Sequence, residues 1–189
     1  MVLIKPDGVK RALVGEIISR FEKVGLKIVA MKMVWVDKDL VSKHYPTTRA
    51  EWVKKVGVRT LESYKEYGQD ANELLGTKEP VEVGKLVCKW LINFLTSGPV
   101  VAMVLSAPHA VEVVRKIVGE TYPLKAAPGT VRGDFMIDSP AVSNVKKRSI
   151  QNLVHASGST EESKFEEELW FHNNEIHDYH RVDEELMFG

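Results

Sequence analysis

The sequence predicts an α+β fold from three observations: short apolar runs of strand length, longer segments with apolar residues at helical spacing, and alternation of the two along 189 residues. Val2-Leu3-Ile4-Lys5 is a strand pattern stopped by Pro6-Asp7-Gly8, residues that favour a turn through fixed φ, side-chain bonding and tolerance of positive φ. Leu13, Val14, Ile17, Ile18, Phe21 and Val24 then recur at helical spacing, and Gly25 sits where a helix C-cap belongs. Residues 26–36 are β-branched and aliphatic and read as a long strand, after which Asp37 caps a short helix running toward Tyr45.

Residues 46–84 are polar and interrupted by Pro46, Gly57, Gly68, Gly76, Pro80 and Gly84, so they read as an insertion of short, weakly amphipathic pieces. A helix is expected over 85–96, and the almost wholly apolar run 99–106 suits a central strand buried on both faces. Pro108 fits the first turn of a further helix, which carries Val111, Val114 and Ile117 and ends near Gly119. Residues 131–137 are the expected fourth strand, and 138–148 a second polar insertion whose Lys146-Lys147-Arg148 reads as a solvated loop tip. Two strand–helix–strand units of this size imply a ferredoxin-like, four-stranded antiparallel sheet with helices on one face. The chain then reads as one domain, 1–189, with insertions at about 46–84 and 138–148.

Composition narrows the function classes. Hydrophobic residues make up 44% of the chain, which excludes a disordered or fibrous polymer. Lysine and arginine total 26 and aspartate and glutamate total 26, so no global positive field draws the chain onto nucleic acid, and any basic site is local. One cysteine, Cys88, excludes an internal disulfide and a cysteine-based zinc cage. No apolar run reaches membrane-spanning length and no signal-peptide pattern opens the sequence, so a cytoplasmic protein without membrane partners is expected.

The chemistry centres on Asn152-Leu153-Val154-His155-Ala156-Ser157-Gly158-Ser159, where a histidine stands between an apolar run and a hydroxyl-rich helix start. A helix beginning at Ser159, with Glu162 completing a capping box, would aim orphan N–H groups and its dipole toward an anion docked beside His155. Imidazole attacks phosphorus well and leaves easily. Glu166, two turns into that helix, could face His155 and set its tautomer, with Ser157 bridging the two, while Phe165, Leu169 and Trp170 hold the helix down. Lys5, Arg11, Arg115, Thr121, Arg132 and Asn152 all fall at element ends, where loops gather functional groups over a rigid sheet. The guanidinium forks of Arg115 and Arg132 suit phosphate oxygens. Arg132-Gly133-Asp134 is not read as an adhesion signal, because Val131 and Phe135 flank it inside a strand pattern.

Six ordered blocks resemble nucleoside diphosphate kinases: Ile4-Lys5-Pro6-Asp7-Gly8-Val9, Leu13-Val14-Gly15-Glu16-Ile17-Ile18, Ser97-Gly98-Pro99-Val100-Val101-Ala102-Met103, Gly119-Glu120-Thr121, Pro128-Gly129-Thr130-Val131-Arg132-Gly133-Asp134-Phe135, and Asn152 to Ser157. The resemblance implies ping-pong exchange, in which a nucleoside triphosphate gives its γ-phosphoryl group to His155 and a nucleoside diphosphate takes it. It further implies that Glu166 and Ser157 orient His155, and that Lys5, Arg115 and Arg132 neutralise phosphate charge. Thr121 and Asn152 bond phosphate and ribose oxygens, Tyr45 lies near the active site, and Arg11 is structural. Mg²⁺ is carried by the substrate phosphates without direct protein ligands. Val87 stands where the family places a base-stacking phenylalanine and Leu91 at an apolar base contact, so aliphatic contact or Trp90 would hold the nucleoside. A homo-oligomer, a hexamer or another assembly built from trimers or dimers, is expected.

The sequence conflicts with two other readings. A non-catalytic relative conflicts with the retention of His155, Glu166, Ser157, Lys5 and both arginines. A single-strand RNA reader shares the fold plan but needs strand aromatics, and the expected strands 2–5 and 100–105 have none. His177 and His180, three apart, are read as surface residues and not as a metal pair.

Overall fold

Four strands pair into one sheet in the computed structural model, which describes residues 1–189: β1 (Val2–Ile4), β2 (Lys27–Val34), β3 (Val100–Ser106) and β4 (Val154–Ala156). Their spatial order is β2-β3-β1-β4 with every neighbouring pair antiparallel, the ferredoxin-like order. A register shift between Ile28 and Ala30 marks a bulge in β2.

The period of two along the strands sorts side chains to two cores. Val2, Ile4, Val101, Met103 and Val154 face one side, where α2 (Val14–Glu22) brings Ile17 and Phe21 and α7 (Ala110–Val118) brings Val114 and Val118. Leu3, Val100, Ala102 and Val104 face the other, against Val41 of α3 (Lys38–His44), Leu95 of α6 (Pro80–Leu95) and Trp170 of α10 (Thr160–Trp170). Helices therefore cover both faces of the sheet, not one. The strand β3 is buried along all but its last residue, which is why its sequence is continuously apolar instead of alternating.

Local chemistry explains most element boundaries. Asp37 Oδ1 accepts the Leu40 N–H at 2.8 Å and starts α3 as expected. Gly25 and Gly119 take the positive φ values, 89° and 84°, that end the helices before them. Ser159 Oγ caps α10 by accepting the Glu162 N–H at 3.2 Å, but the Glu162 carboxylate accepts from Gly158 N–H, one residue ahead of the cap. The short α1 (Pro6–Lys10) follows β1 directly with proline in its first turn.

Two stretches fold into other elements than the sequence predicts. Residues 131–137 are not a strand: Val131–Phe135 form helix α8, capped by Thr130 Oγ on the Gly133 N–H at 3.1 Å, and the fourth strand is the three-residue segment around His155. Short apolar runs do not separate the two periods, and here the cap decides. The region 46–84 is not a set of short pieces either, because α4 (Ala50–Glu66) runs unbroken through Gly57, α5 (Ala71–Leu75) follows, and α6 begins at Pro80. Gly57 and Gly84 are crossing points and not breakers. A Cβ at Gly57 would collide with the Pro80 carbonyl and one at Gly84 with the Val53 carbonyl, so α4 and α6 pack main chain against main chain.

The second polar stretch folds onto this hairpin. It contains α9 (Pro140–Val145), and Tyr64 O–H donates to Asn144 O at 3.1 Å while Asn144 Nδ2 donates to Gln69 Oε1 at 2.9 Å and Gln69 Nε2 to Ala141 O at 2.8 Å. Arg148 is no solvated loop tip: its guanidinium grips Asp138 through both Nη atoms at 2.6 and 3.0 Å. A last short helix, α11 (Glu184–Phe188), lies near the C-terminus, where Met187 fills the space beside Gly25.

Candidate active site

His155 is the middle residue of β4 and pairs in register with Leu3, so its ring projects to the same face as Leu3, toward α3 and α10. Lys5, two residues beyond Leu3 on the same chain, follows the same alternation. Leu153 fixes the approach to β4. It is fully buried with φ of 65°, a left-handed conformation that a branched side chain rarely takes. Its N–H donates to buried Asp7 Oδ2 at 3.0 Å and its carbonyl accepts the Lys5 N–H at 2.7 Å, so the strained residue is tied to the start of α1.

Glu166 reaches His155 from the second turn of α10. His155 Nε2 lies 2.7 Å from Glu166 Oε1, and Ser157 Oγ donates to Glu166 Oε2 at 2.6 Å. The carboxylate is 1% exposed, and burial raises its pKa, opposed by His44 and by the Ser157 hydrogen bond. An ionised Glu166 places the ring proton on Nε2. Nδ1 then keeps the lone pair, makes no protein hydrogen bond and is not sealed from the cleft. Removal from water and the nearby Lys5 charge push the His155 imidazole down to about 3, so at neutral pH it is a neutral nucleophile.

A cleft of about 360 Å³ opens beside this ring. Lys5, Arg115, Thr121, Arg132 and Asn152 line it near His155, with Tyr45, and Val87 and Leu91 form part of its apolar wall. Every residue expected to touch substrate is thus brought to one cavity, and Ser157 and Glu166 stand behind the histidine. Lys5 is buried and donates from Nζ to Asn152 Oδ1 at 2.7 Å, while Asn152 Nδ2 donates to Thr121 O at 2.8 Å. Burial, and secondarily Arg132, lower the Lys5 ammonium to about 8. Arg132 is held by three backbone carbonyls, Asn152 O from Nε at 3.1 Å, Gly119 O from Nη1 at 2.7 Å and Val154 O from Nη2 at 2.6 Å. Arg115, by contrast, is exposed and has no ion pair. Burial raises the Tyr45 phenol, which stays protonated.

Other expectations fared differently. The first turn of α10 does not line the cleft: Ser157 and Ser163 border a separate small cavity with Met1 and Leu105, so the helix contributes its carboxylate and not its N-terminal N–H groups. Arg11 donates to Phe135 O at 2.6 Å, a structural role. Asp134 of the Arg-Gly-Asp tripeptide pairs with Arg20 at 2.7 Å. His177 and His180 are exposed, and the metal-compatible group of His, Cys, Asp and Glu side chains is His44, His155 and Glu166 instead.

The sequence reading missed several cleft residues. Trp52, Arg59 and Tyr122 enter the wall, as do Asn144 and Arg148, because the two polar stretches fold over the cavity. His44 was passed over too, although it stands directly before Tyr45 at the end of a capped helix, the one signal that placed it near the site.

The arrangement can hold a polyphosphate by its charges and present an unprotonated imidazole nitrogen to one phosphorus. The family model described as nucleoside diphosphate kinase matches residues 1–58 and 78–176, leaving the C-terminal half of α4 through Thr77 unmatched. The chain is 48% identical over 176 residues to a nucleoside diphosphate kinase of Pyrobaculum aerophilum, covering 93% of this chain and 96% of that protein. The solved NDP kinase from Pyrobaculum aerophilum superposes with a TM-score of 0.89 at 47% identity, over 94% of this chain and 97% of that one. A transition-state mimic of the nucleoside-diphosphate kinase from Borrelia burgdorferi with bound vanadate and ADP superposes with a TM-score of 0.75 at 39% identity, over 97% and 92% of the two chains.

Proposed function

The chain belongs to the nucleoside diphosphate kinase family, phosphotransferases that work through a phosphohistidine, and from that premise we propose that His155 is the phosphoryl carrier and the cleft beside it the nucleotide site. In the first half-reaction the Nδ1 lone pair attacks the γ-phosphorus, the bond from that phosphorus to the β-bridging oxygen breaks, and the nucleoside diphosphate leaves with the electron pair. The second half-reaction reverses these bonds with another diphosphate as acceptor. Charge builds on the phosphoryl oxygens and the bridging oxygen, where Lys5, Arg115 and Arg132 act, with Thr121, Asn152 and the Tyr45 hydroxyl as hydrogen-bonding partners. Glu166 and Ser157 keep the carrier's tautomer. Vanadate and ADP in the Borrelia burgdorferi relative are consistent with a site that accepts a phosphoryl group and a diphosphate together.

The cleft wall has no free carboxylate, since Glu166 lies behind the ring with both oxygens bonded. A wall without free carboxylates fits Mg²⁺ carried in by the substrate phosphates, where the ion would neutralise phosphate charge. Val87 and Leu91 take the base by apolar contact. We read residues 1–189 as one domain with elaborations at about 46–84 and 138–148, acting in the cytoplasm on nucleoside di- and triphosphates. A homo-oligomer built from dimers or trimers is supported by edge strand β2, which exposes Met31 and Met33 next to Trp35.

One observation carries the reading: His155 is anchored through Nε2 by a buried carboxylate while Nδ1 opens onto a cleft lined by Lys5, Arg115 and Arg132. Incubation with labelled ATP and Mg²⁺ should give an acid-labile, base-stable phosphoenzyme that ADP discharges, and His155→Ala should yield none. Label retained by that variant would overturn the assignment.

A further inference from the structure

Asn144, on α9 in the second polar stretch, is 5% exposed and lines the cleft, and the phosphoryl-transfer scheme has no use for it. Both protons of its amide are committed, because Nδ2 donates to Gln69 Oε1 at 2.9 Å and to Ser63 Oγ at 3.4 Å. Which end of the amide points where is decided one residue further out. Gln69 Nε2 lies 2.8 Å from the Ala141 carbonyl, which can only accept, so Gln69 turns Oε1 toward Asn144 and Asn144 answers with Nδ2. The Asn144 main chain is held as well, its carbonyl accepting the Tyr64 hydroxyl at 3.1 Å.

The atom left over is Oδ1. No protein donor reaches it, yet the unpartnered side-chain atoms sealed inside the protein are His44 Nε2 and Ser149 Oγ, so Oδ1 is open and the space beside its residue is the cleft. An amide oxygen fixed in this way is an acceptor whose rotamer is set before a ligand arrives. Its place says what it meets. Lys5, Arg115, Arg132 and His155 gather the phosphates at strand ends and the adjoining helices, whereas Asn144 is bonded to Ser63 on α4 and to Gln69 just after it, in the hairpin that also supplies Val87 and Leu91. With the phosphates beside His155, the part of a nucleotide that lies under this hairpin is the base.

We propose that Asn144 is a specificity-determining residue for the nucleoside: its Oδ1 accepts from an exocyclic amino group, such as adenine and cytosine carry, and so favours these bases over uracil, which has a carbonyl oxygen at that edge. This rests on His155 being the phosphoryl carrier and the cleft its nucleotide site. Ser63 and Gln69, which aim the amide, both lie in the stretch that the family model leaves unmatched, so the preference is built by the elaborations of this chain. The rest of the hairpin's contact is apolar and suits every base, which keeps the discrimination modest.

The test begins with the unaltered protein, labelled on His155 and mixed with CDP or UDP, acceptors that share ribose, diphosphate and ring size and differ in an amino group against a carbonyl. Discharge should be about 3–10-fold more efficient in kcat/KM with CDP, through KM and with equal maximal rates, the worth of one hydrogen bond. Equal efficiencies, or a preference carried by kcat, overturn the proposal without any variant having to fold. Asn144→Leu is close in size and has no acceptor, so the CDP-to-UDP ratio should fall to about 1. A ratio that survives in that variant overturns the proposal too, while the phosphoenzyme still forms on His155; absence of label from wild-type His155 instead overturns the carrier assignment on which it rests.

Discussion

The floor and the roof of the cleft are built on opposite principles. On the floor, Lys5, Arg132, Asn152, His155 and Glu166 come from strand ends and the adjoining helices, and each is tied to a neighbour by a hydrogen bond of 3.1 Å or less. Over it, Val87, Leu91, Trp52 and Trp90 come from the α4–α6 hairpin and offer mainly carbon. Chemistry needs donors already in place before the charge moves, whereas a base of variable edge pattern is best met by surfaces that ask for no particular hydrogen bond. The contrast predicts that floor substitutions change kcat and roof substitutions change KM.

Arg132→Ala should have the largest effect, because the guanidinium both lines the cleft and satisfies three carbonyls. Transfer should slow by roughly 2–4 kcal/mol, and thermal unfolding should show a stability loss of about 1–3 kcal/mol from carbonyls left unmatched. Arg115→Ala sharpens this: the same 2–4 kcal/mol or so in single-turnover rate is expected, but with an unchanged melting temperature, since the side chain is exposed and unpaired. A parallel fall in stability would show that Arg115 is part of the scaffold.

In the roof, Gly57→Ala should cost about 1–3 kcal/mol of stability through overpacking and raise KM for nucleotides. An unperturbed melting curve would mean that α4 and α6 have room to part. Leu91→Ala should raise KM by an amount equivalent to roughly 1–2 kcal/mol at constant kcat, the cost of lost apolar contact. A kcat effect there would break the division between floor and roof.

The smallest effect concerns pH. The Lys5 ammonium is lowered to about 8, so the free protein loses that charge as pH rises through about 8 instead of near the ordinary lysine value. The sign follows: kcat/KM should be full below that pH and decline above it, and Lys5→Arg should move the decline upward by keeping the charge. A flat profile to pH 10 would assign no kinetic role to the ammonium.

Much of the floor was legible because it sits in short, ordered motifs at the ends of regular elements, where residue type and chemistry coincide. Lys5 follows a strand, Asn152 to Ser157 bracket another, and Glu166 lies at a helical interval from a capped start. The roof was not legible. Gly57 and Gly84 look like breakers in a one-dimensional pattern, yet each is demanded by a partner helix distant in sequence, and only three dimensions show the crossing. The strand expected at 131–137 failed for a local reason, since Val131 and Phe135 fit either period and Thr130 supplies a cap. Helices on both faces escaped notice because a half-buried strand and a fully buried one differ only in how strictly they alternate, and β1 is too short to tell. His44 was missed because its neighbours Glu166 and Trp170 lie on α10, far away in the sequence.

The meeting of Gly57 and Gly84 has a consequence for breathing motions. Two helices whose main chains touch have no rotamers between them to rearrange, so they cannot slide past one another in small graded steps. At this crossing a displacement of one helix is therefore expected to carry the other with it.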